Sequence, residues 1–357
     1  YCGGALFIKD IDMECIIQIL ECNFSRCQSV KEGGAISNGE IGTDGQESHF
    51  NYNIFHLSFC LFLECESRSG GALFFQDGSK KSDEETKILS CRFMNCFASG
   101  GEGYAISCRS YKAEIDNNTF FNHNRTASDA VGVIVYLEFN DESLIKAIFD
   151  RNVFEDNFQI SGLQINITKA SAHLTLNDNK FLNYKDDGLF GGTFSSDIGC
   201  INFDYWVSPS TSIILNGFEF NNIKNMQCIR GTKAQISGQI SNCNFTNISY
   251  KSLTGGPCGS CIYLPFLAPN INERRDIAIH FCIFTNIESN GEGGAIYANC
   301  EVTGIQNNQF YNCRTSSENG NDQGGAIFLD AQSICSQEYI AGCLFEDCSS
   351  TNSGGAI

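Results

Sequence analysis

Apolar and polar residues alternate singly through short stretches of this chain, and the pattern recurs eleven times around a phenylalanine. The copies read CNFSRC, CLFLEC, CRFMNC, NTFFNH, NVFEDN, NKFLNY, FEFNNI, CNFTNI, CIFTNI, NQFYNC and CLFEDC. Their phenylalanines are Phe24, Phe62, Phe93, Phe120, Phe154, Phe181, Phe220, Phe245, Phe284, Phe310 and Phe345. In the first copy Cys22 and Phe24 share one face of an extended strand and Asn23 points away, because successive strand side chains face opposite sides. A strand of about five residues cannot bury an apolar face alone, so each copy must lean on its neighbours.

A second word, GGA followed by an aliphatic residue, alternates with the first. It stands at Gly3 to Leu6, Gly33 to Ile36, Gly70 to Leu73, Gly293 to Ile296, Gly324 to Ile327 and Gly354 to Ile357, with weaker forms between. Two glycines admit positive φ and close backbone approach, and the following alanine suits a narrow place in a coil, so bulk at Ala5, Ala35, Ala72, Ala295 or Ala326 should be resisted. Phe24 to Phe345 is ten steps with a mean of about 32 residues, single steps running from 25 to 39. Rigid helical repeats tolerate so loose a period poorly, whereas a coil with loops between strands absorbs it.

These patterns predict an all-β fold, a right-handed single-stranded parallel β-helix of about eleven rungs of about 32 residues. At about 4.8 Å per rung the rod would be about 50 Å long. One solenoid domain is expected over 1–357, with a degenerate central part at 118–230, and the repeat phase at both ends suggests a portion of a longer chain. Two residues after each phenylalanine (position F+2) Asn or Asp predominates, from Asn95 and Asn122 to Asn312 and Asp347. This predicts a coil corner, carrying an amide ladder or simply residues at ease in left-handed turns.

Composition narrows the function. With Lys+Arg 23 against Asp+Glu 41, the net charge of −18 opposes a nucleic-acid or anionic-membrane surface. No run of about 20 apolar residues is present, so no direct membrane insertion by this segment is expected. Twenty cysteines spread along the chain favour an oxidising, extracellular setting, with buried free thiols as the rival reading.

The alternation of GGAI with a phenylalanine word resembles the repeats of the chlamydial polymorphic outer-membrane proteins and the related cysteine-rich surface proteins of some protists. The resemblance runs from Cys2 to Ile357. It departs from the simplest family form, Phe-x-x-Asn, in that Asn usually sits at F+2 and only Asn157 keeps the family position. The resemblance implies a passenger-type β-helix displayed at a cell surface and used in adhesion.

Cysteine fills F−2 at Cys22, Cys60, Cys91, Cys243, Cys282 and Cys343, and F+3 at Cys27, Cys65, Cys96, Cys313 and Cys348. These are the disulfide candidates. Their co-occurrence favours pairing inside a rung, Cys22 with Cys27 for example, yet pairs between rungs such as Cys243 with Cys282 or Cys313 with Cys348 lie within reach too. CGSC ending at Cys261 is a single pair without a second half, so neither a metal nor a cofactor is expected. Glycosylation candidates are the sequons at Asn23, Asn117, Asn124, Asn166, Asn244 and Asn247, a number that composition alone would supply.

Insertions fall mainly between the two words, at Asn38 to Asn53, Gln76 to Lys87, Asp204 to Thr211 and Pro265 to Asp276, and should project from one side as a binding surface. The expected function is therefore an extracellular or cell-surface structural and adhesive scaffold displaying loops to a host or neighbouring-cell surface protein or glycan. A self-stacking filament or matrix protein, built from further copies end to end, is the alternative. A carbohydrate-active lyase or glycosidase ranks third. Its best carboxylates, Asp186 and Asp187 beside Lys185, with Asp204, read more readily as a turn before glycine, and no catalytic residue is assigned.

Overall fold

The computed structural model describes residues 3–8, 16–38, 54–76, 85–100, 102–110, 112–124, 132–139, 145–167, 172–185, 199–206, 212–231, 237–251, 259–265, 277–299, 302–316, 322–329 and 340–357. Contacts group the chain into two units, Tyr1–Leu174 and Thr175–Ile357, divided within the strand Ala172–Asn177. Each is a right-handed parallel β-helix, its strands pairing in parallel throughout the described residues. Among the described residues there is no α-helix.

Every rung contributes three strands. In the first unit the strands after the GGA words, Leu6–Ile8, Ile36–Asn38, Leu73–Gln76, Ile106–Arg109, Val133–Phe139 and Ser161–Ile167, pair in that order. A second sheet holds Ile16–Leu20, Ile54–Ser58, Glu85–Leu89, Lys112–Asp116 and Ile145–Asp150. The third holds the phenylalanine words, from Asn23–Ser25 to Val153–Glu155. The second unit repeats the plan: Gly199–Trp206 to Ile327–Leu329, Ser212–Asn216 to Ile340–Ala341, and Lys180–Leu182 to Leu344–Glu346.

Within each unit phenylalanine pairs with phenylalanine at every step of the third sheet, so the rings stack. In the first unit centroids from Phe24 through Phe62, Phe93 and Phe120 to Phe154 lie 4.9, 4.8, 5.1 and 4.6 Å apart. In the second, Phe181, Phe220, Phe245, Phe284, Phe310 and Phe345 follow at 5.1, 4.9, 4.8, 4.7 and 4.8 Å. The spacing equals the rise between hydrogen-bonded strands, which leaves the rings no freedom except to stack nearly parallel. Aliphatic columns from the second sheet close the core, for example Leu57, Ile88 and Ile115, all fully buried.

The corner between second and third sheets has constant length. In all eleven rungs the second-sheet strand ends four residues before the phenylalanine, and residue F−3 has positive φ, from Glu21 (φ 55°) and Ser90 (φ 54°) to Asn307 (φ 54°) and Gly342 (φ 65°). F+2 turns the same way, as Asn95 (φ 50°) and Asn286 (φ 56°) show. The variation in rung length therefore lies outside this corner.

The glycine word differs in detail from its expectation. The first glycine has positive φ, as at Gly33 (φ 60°), but the narrow place belongs to the second. A Cβ on Gly34 would be driven into the carbonyl oxygen of Gly71 and stand 2.7 Å from the backbone of Glu66. The alanine column itself accepts larger residues: register places Ile134, Cys200, Cys228 and Cys261 in it, all buried. The coil is pinched at the glycine because there a backbone carbonyl of the next rung takes the space that a side chain would fill.

Candidate functional site

A left-handed corner turns one backbone N–H out of the sheet ladder, and a buried N–H without a partner is costly. In many rungs the structure meets this need with a polar side chain or thiol one residue beyond the corner. At F−2, Asn118 accepts a hydrogen bond from the Cys91 amide at Oδ1 (2.8 Å) and donates from Nδ2 to the carbonyl of Ile88 (2.8 Å). Asn308 does the same to the Cys282 amide and the Ile279 carbonyl, both at 2.8 Å. Cysteines address the same pair of groups. The Cys60 sulfur accepts from the Cys22 amide (3.4 Å), and its thiol lies 3.7 Å from the Ile19 carbonyl.

The F+3 corner is built alike. Asn157 accepts from the His123 amide (2.8 Å) and donates to the carbonyl of Phe120 (3.2 Å). The thiols of Cys65, Cys96, Cys313 and Cys348 reach the carbonyls of Phe24, Phe62, Phe284 and Phe310 at 3.6 to 3.8 Å. Cysteine and asparagine thus occupy one buried role, that of corner posts which cap the preceding rung. The alternation of Cys with Asn at F−2 (Asn118, Asn152, Asn179, Asn308) is the sequence signal that carries it.

The F+2 residues lie outside this core. Asn222 donates to Asn183 (2.9 Å), Asn286 to Asn247 (3.0 Å) and Asn312 to Asn286 (2.9 Å), so F+2 is a left-handed corner and also an exposed amide ladder. In the first unit the ladder becomes an ion pair, Arg26 with Glu64 at 2.9 Å. Beside it opens a polar groove of about 480 Å³, bordered by Gln28, Glu66, Asn95 and Phe97.

The described cysteines carry free thiols. Cysteine side chains neighbour one another along the axis: Cys60 with Cys22 and Cys91, Cys65 with Cys27 and Cys96, Cys228 with Cys200 and Cys261, Cys243 with Cys282, and Cys313 with Cys348. Within one rung, Cys22 and Cys27 flank the strand Asn23–Ser25 at its two ends, on the order of 10 Å or more apart, beyond the reach of about 7 Å that a disulfide allows. The geometry therefore opposes the within-rung pairing that co-occurrence favours. Burial pushes the Cys96, Cys200, Cys228 and Cys243 thiols up. The neighbouring Cys313 thiol lowers Cys348 to about 7.

Of the sequons, Asn23, Asn117, Asn244 and Asn247 are exposed; Asn124 and Asn166 are half-buried, the latter donating to the Tyr136 hydroxyl at 2.8 Å. Asp186 and Asp187 lie outside the described residues, as do the side chain of Asp204 and most of the four predicted insertions. Among the described residues no group of three or more His, Cys, Asp or Glu is placed to hold a metal. Compared with known proteins, the chain matches no family model, no curated protein and no solved structure.

Proposed function

We propose that the chain is an extracellular or surface-displayed adhesive scaffold, whose stacked rungs hold variable connections against a protein or glycan on another surface. One observation carries this reading: the second-to-third-sheet corner is constant across all eleven rungs, while successive phenylalanines stand from 25 to 39 residues apart. A coil built so can change what it displays without disturbing what holds it up. The GGAI resemblance to surface-displayed passengers agrees with it, as does the net charge of −18, which opposes nucleic acid as the partner.

The test is binding of the purified chain to cultured cells and to a glycan array, with a variant whose connection 39–53 is replaced by a short Gly/Ser link. Retained β-sheet circular dichroism with lost binding is the expected result. Release of reducing or unsaturated sugar ends from polysaccharides, abolished by replacing Asp186 and Asp187, would replace the scaffold by an enzyme.

A further inference from the structure

The thiol columns hold more sulfur than hydrogen bonding requires, since asparagine fills the same posts in neighbouring rungs with shorter bonds. We infer that these columns are disulfide sites whose bridges join adjacent rungs wherever two cysteines stack, with Cys313 and Cys348 as the leading pair. Phe310 and Phe345 are register partners, so the two cysteines three residues beyond them are neighbours along the axis. Strand spacing puts their Cα atoms about 4.8 Å apart, inside the range of about 4.4 to 6.8 Å for disulfides.

Access and reactivity coincide at this pair. Cys348 is half-exposed while Cys313 is buried. The neighbouring Cys313 thiol lowers Cys348 to about 7, which makes its thiolate available near neutral pH. With a low-molecular-weight disulfide such as oxidised glutathione, the Cys348 thiolate attacks one sulfur and expels one glutathione thiolate. The Cys313 thiol then loses its proton, its sulfur attacks the mixed disulfide at Cys348, and the second glutathione thiolate leaves. Two protein thiols are oxidised and one glutathione disulfide is reduced to two thiols, which balances the exchange.

The same register governs the other columns. Cys22 and Cys27 are half-exposed, and each stands over a buried partner, Cys60 and Cys65. Both columns hold three cysteines, so one bridge leaves one thiol, Cys91 or Cys96 when the accessible member reacts. Cys243 and Cys282 are both buried, and their bridge needs the rungs to open. The inference concerns the coil itself and stands whatever the connections bind.

The experiment is to treat the reduced full chain with oxidised glutathione, alkylate the remaining thiols, digest without reduction and identify linked peptides by mass spectrometry. The expected product joins Cys313 to Cys348, and Cys348 becomes resistant to alkylation. A Cys313→Asn variant keeps the post, since Asn157 occupies the equivalent position, and there Cys348 should stay open to alkylation or carry only glutathione. The oxidised wild-type chain should also unfold at higher urea than the reduced chain, and the variant should lose that difference. A Cys343–Cys348 or Cys22–Cys27 linkage would overturn the inference, and so would Cys313 and Cys348 both remaining alkylatable after treatment that oxidises a control dithiol.

Discussion

The side-chain amide of Asn157 lies 3.2 Å from the carbonyl oxygen of Phe120, the group that a cysteine thiol addresses in four other rungs. One backbone geometry thus sets one demand, and two chemically different residues meet it. Asparagine does so with shorter bonds and with donor and acceptor both in place.

Replacing Asn308 therefore separates hydrogen bonding from packing. Asn308→Ala leaves the Cys282 amide and the Ile279 carbonyl buried without their partner. Each such group costs about 1–3 kcal/mol. Asn308→Cys, which restores both contacts in weaker form, should recover part of the loss. Urea midpoints in reducing buffer are expected in the order wild type, Cys, Ala; equal midpoints for the two variants would mean that the post acts only by filling space.

Phe93 is fully buried between Phe62 and Phe120, whereas half-buried Phe24 has, among the described residues, a single stacked neighbour in its column, Phe62. Phe93→Ala should cost about 3–5 kcal/mol, as for other large core truncations. Phe24→Ala should cost clearly less, as chemical denaturation of the two variants will show.

His123 gives the coil a specific acid sensitivity. Burial lowers it to about 3, a shift that its bond to Asn157 only partly offsets. The carboxamide oxygen of Asn157 is an acceptor, so Nδ1 carries the proton and Nε2 is a buried bare nitrogen. The unfolded chain titrates near 6.5 and so binds the extra proton between pH 6.5 and 3 while the folded chain does not. Stability from this group is full above about pH 6.5 and falls as the pH drops towards 3, by roughly 4 kcal/mol over the window. His123→Asn should flatten the pH dependence of the urea midpoint across that interval; an unchanged slope would exclude His123 as its source.

The glycine and alanine of the GGA word should respond in opposite ways. Gly34→Ala forces a methyl group against the Gly71 carbonyl and is expected to cost about 3 kcal/mol. Ala295→Cys, in a column where Cys261 already stands one rung earlier, should cost about 1 kcal/mol or less in reducing buffer. Thermal melts of the two variants compare these directly.

Much of this architecture was legible in the chain. A phenylalanine recurring with strand alternation could be buried only by stacking, and Asn at F+2 marked a corner because few other residues sit easily at positive φ. The F−3 corner escaped notice because its occupants include Glu21, Phe59, Arg151 and Phe281, which no turn preference would select. Those residues turn because the strands on both sides are held in register, a long-range constraint that overrides local preference.

The cysteines show the same division. Their spacing around each phenylalanine is plain in the sequence and predicts that both face inward, but spacing within a rung says nothing of what stands above and below. Alternation and recurrence, being local, determined the strands, the phenylalanine stack and the parallel coil. Only the tertiary structure decided that cysteine and asparagine share one post, that sulfur meets sulfur along the axis, and that the second glycine is the pinch point. Each of these depends on hydrogen bonds and contacts between residues about thirty positions apart, which exist only once one rung lies on the next.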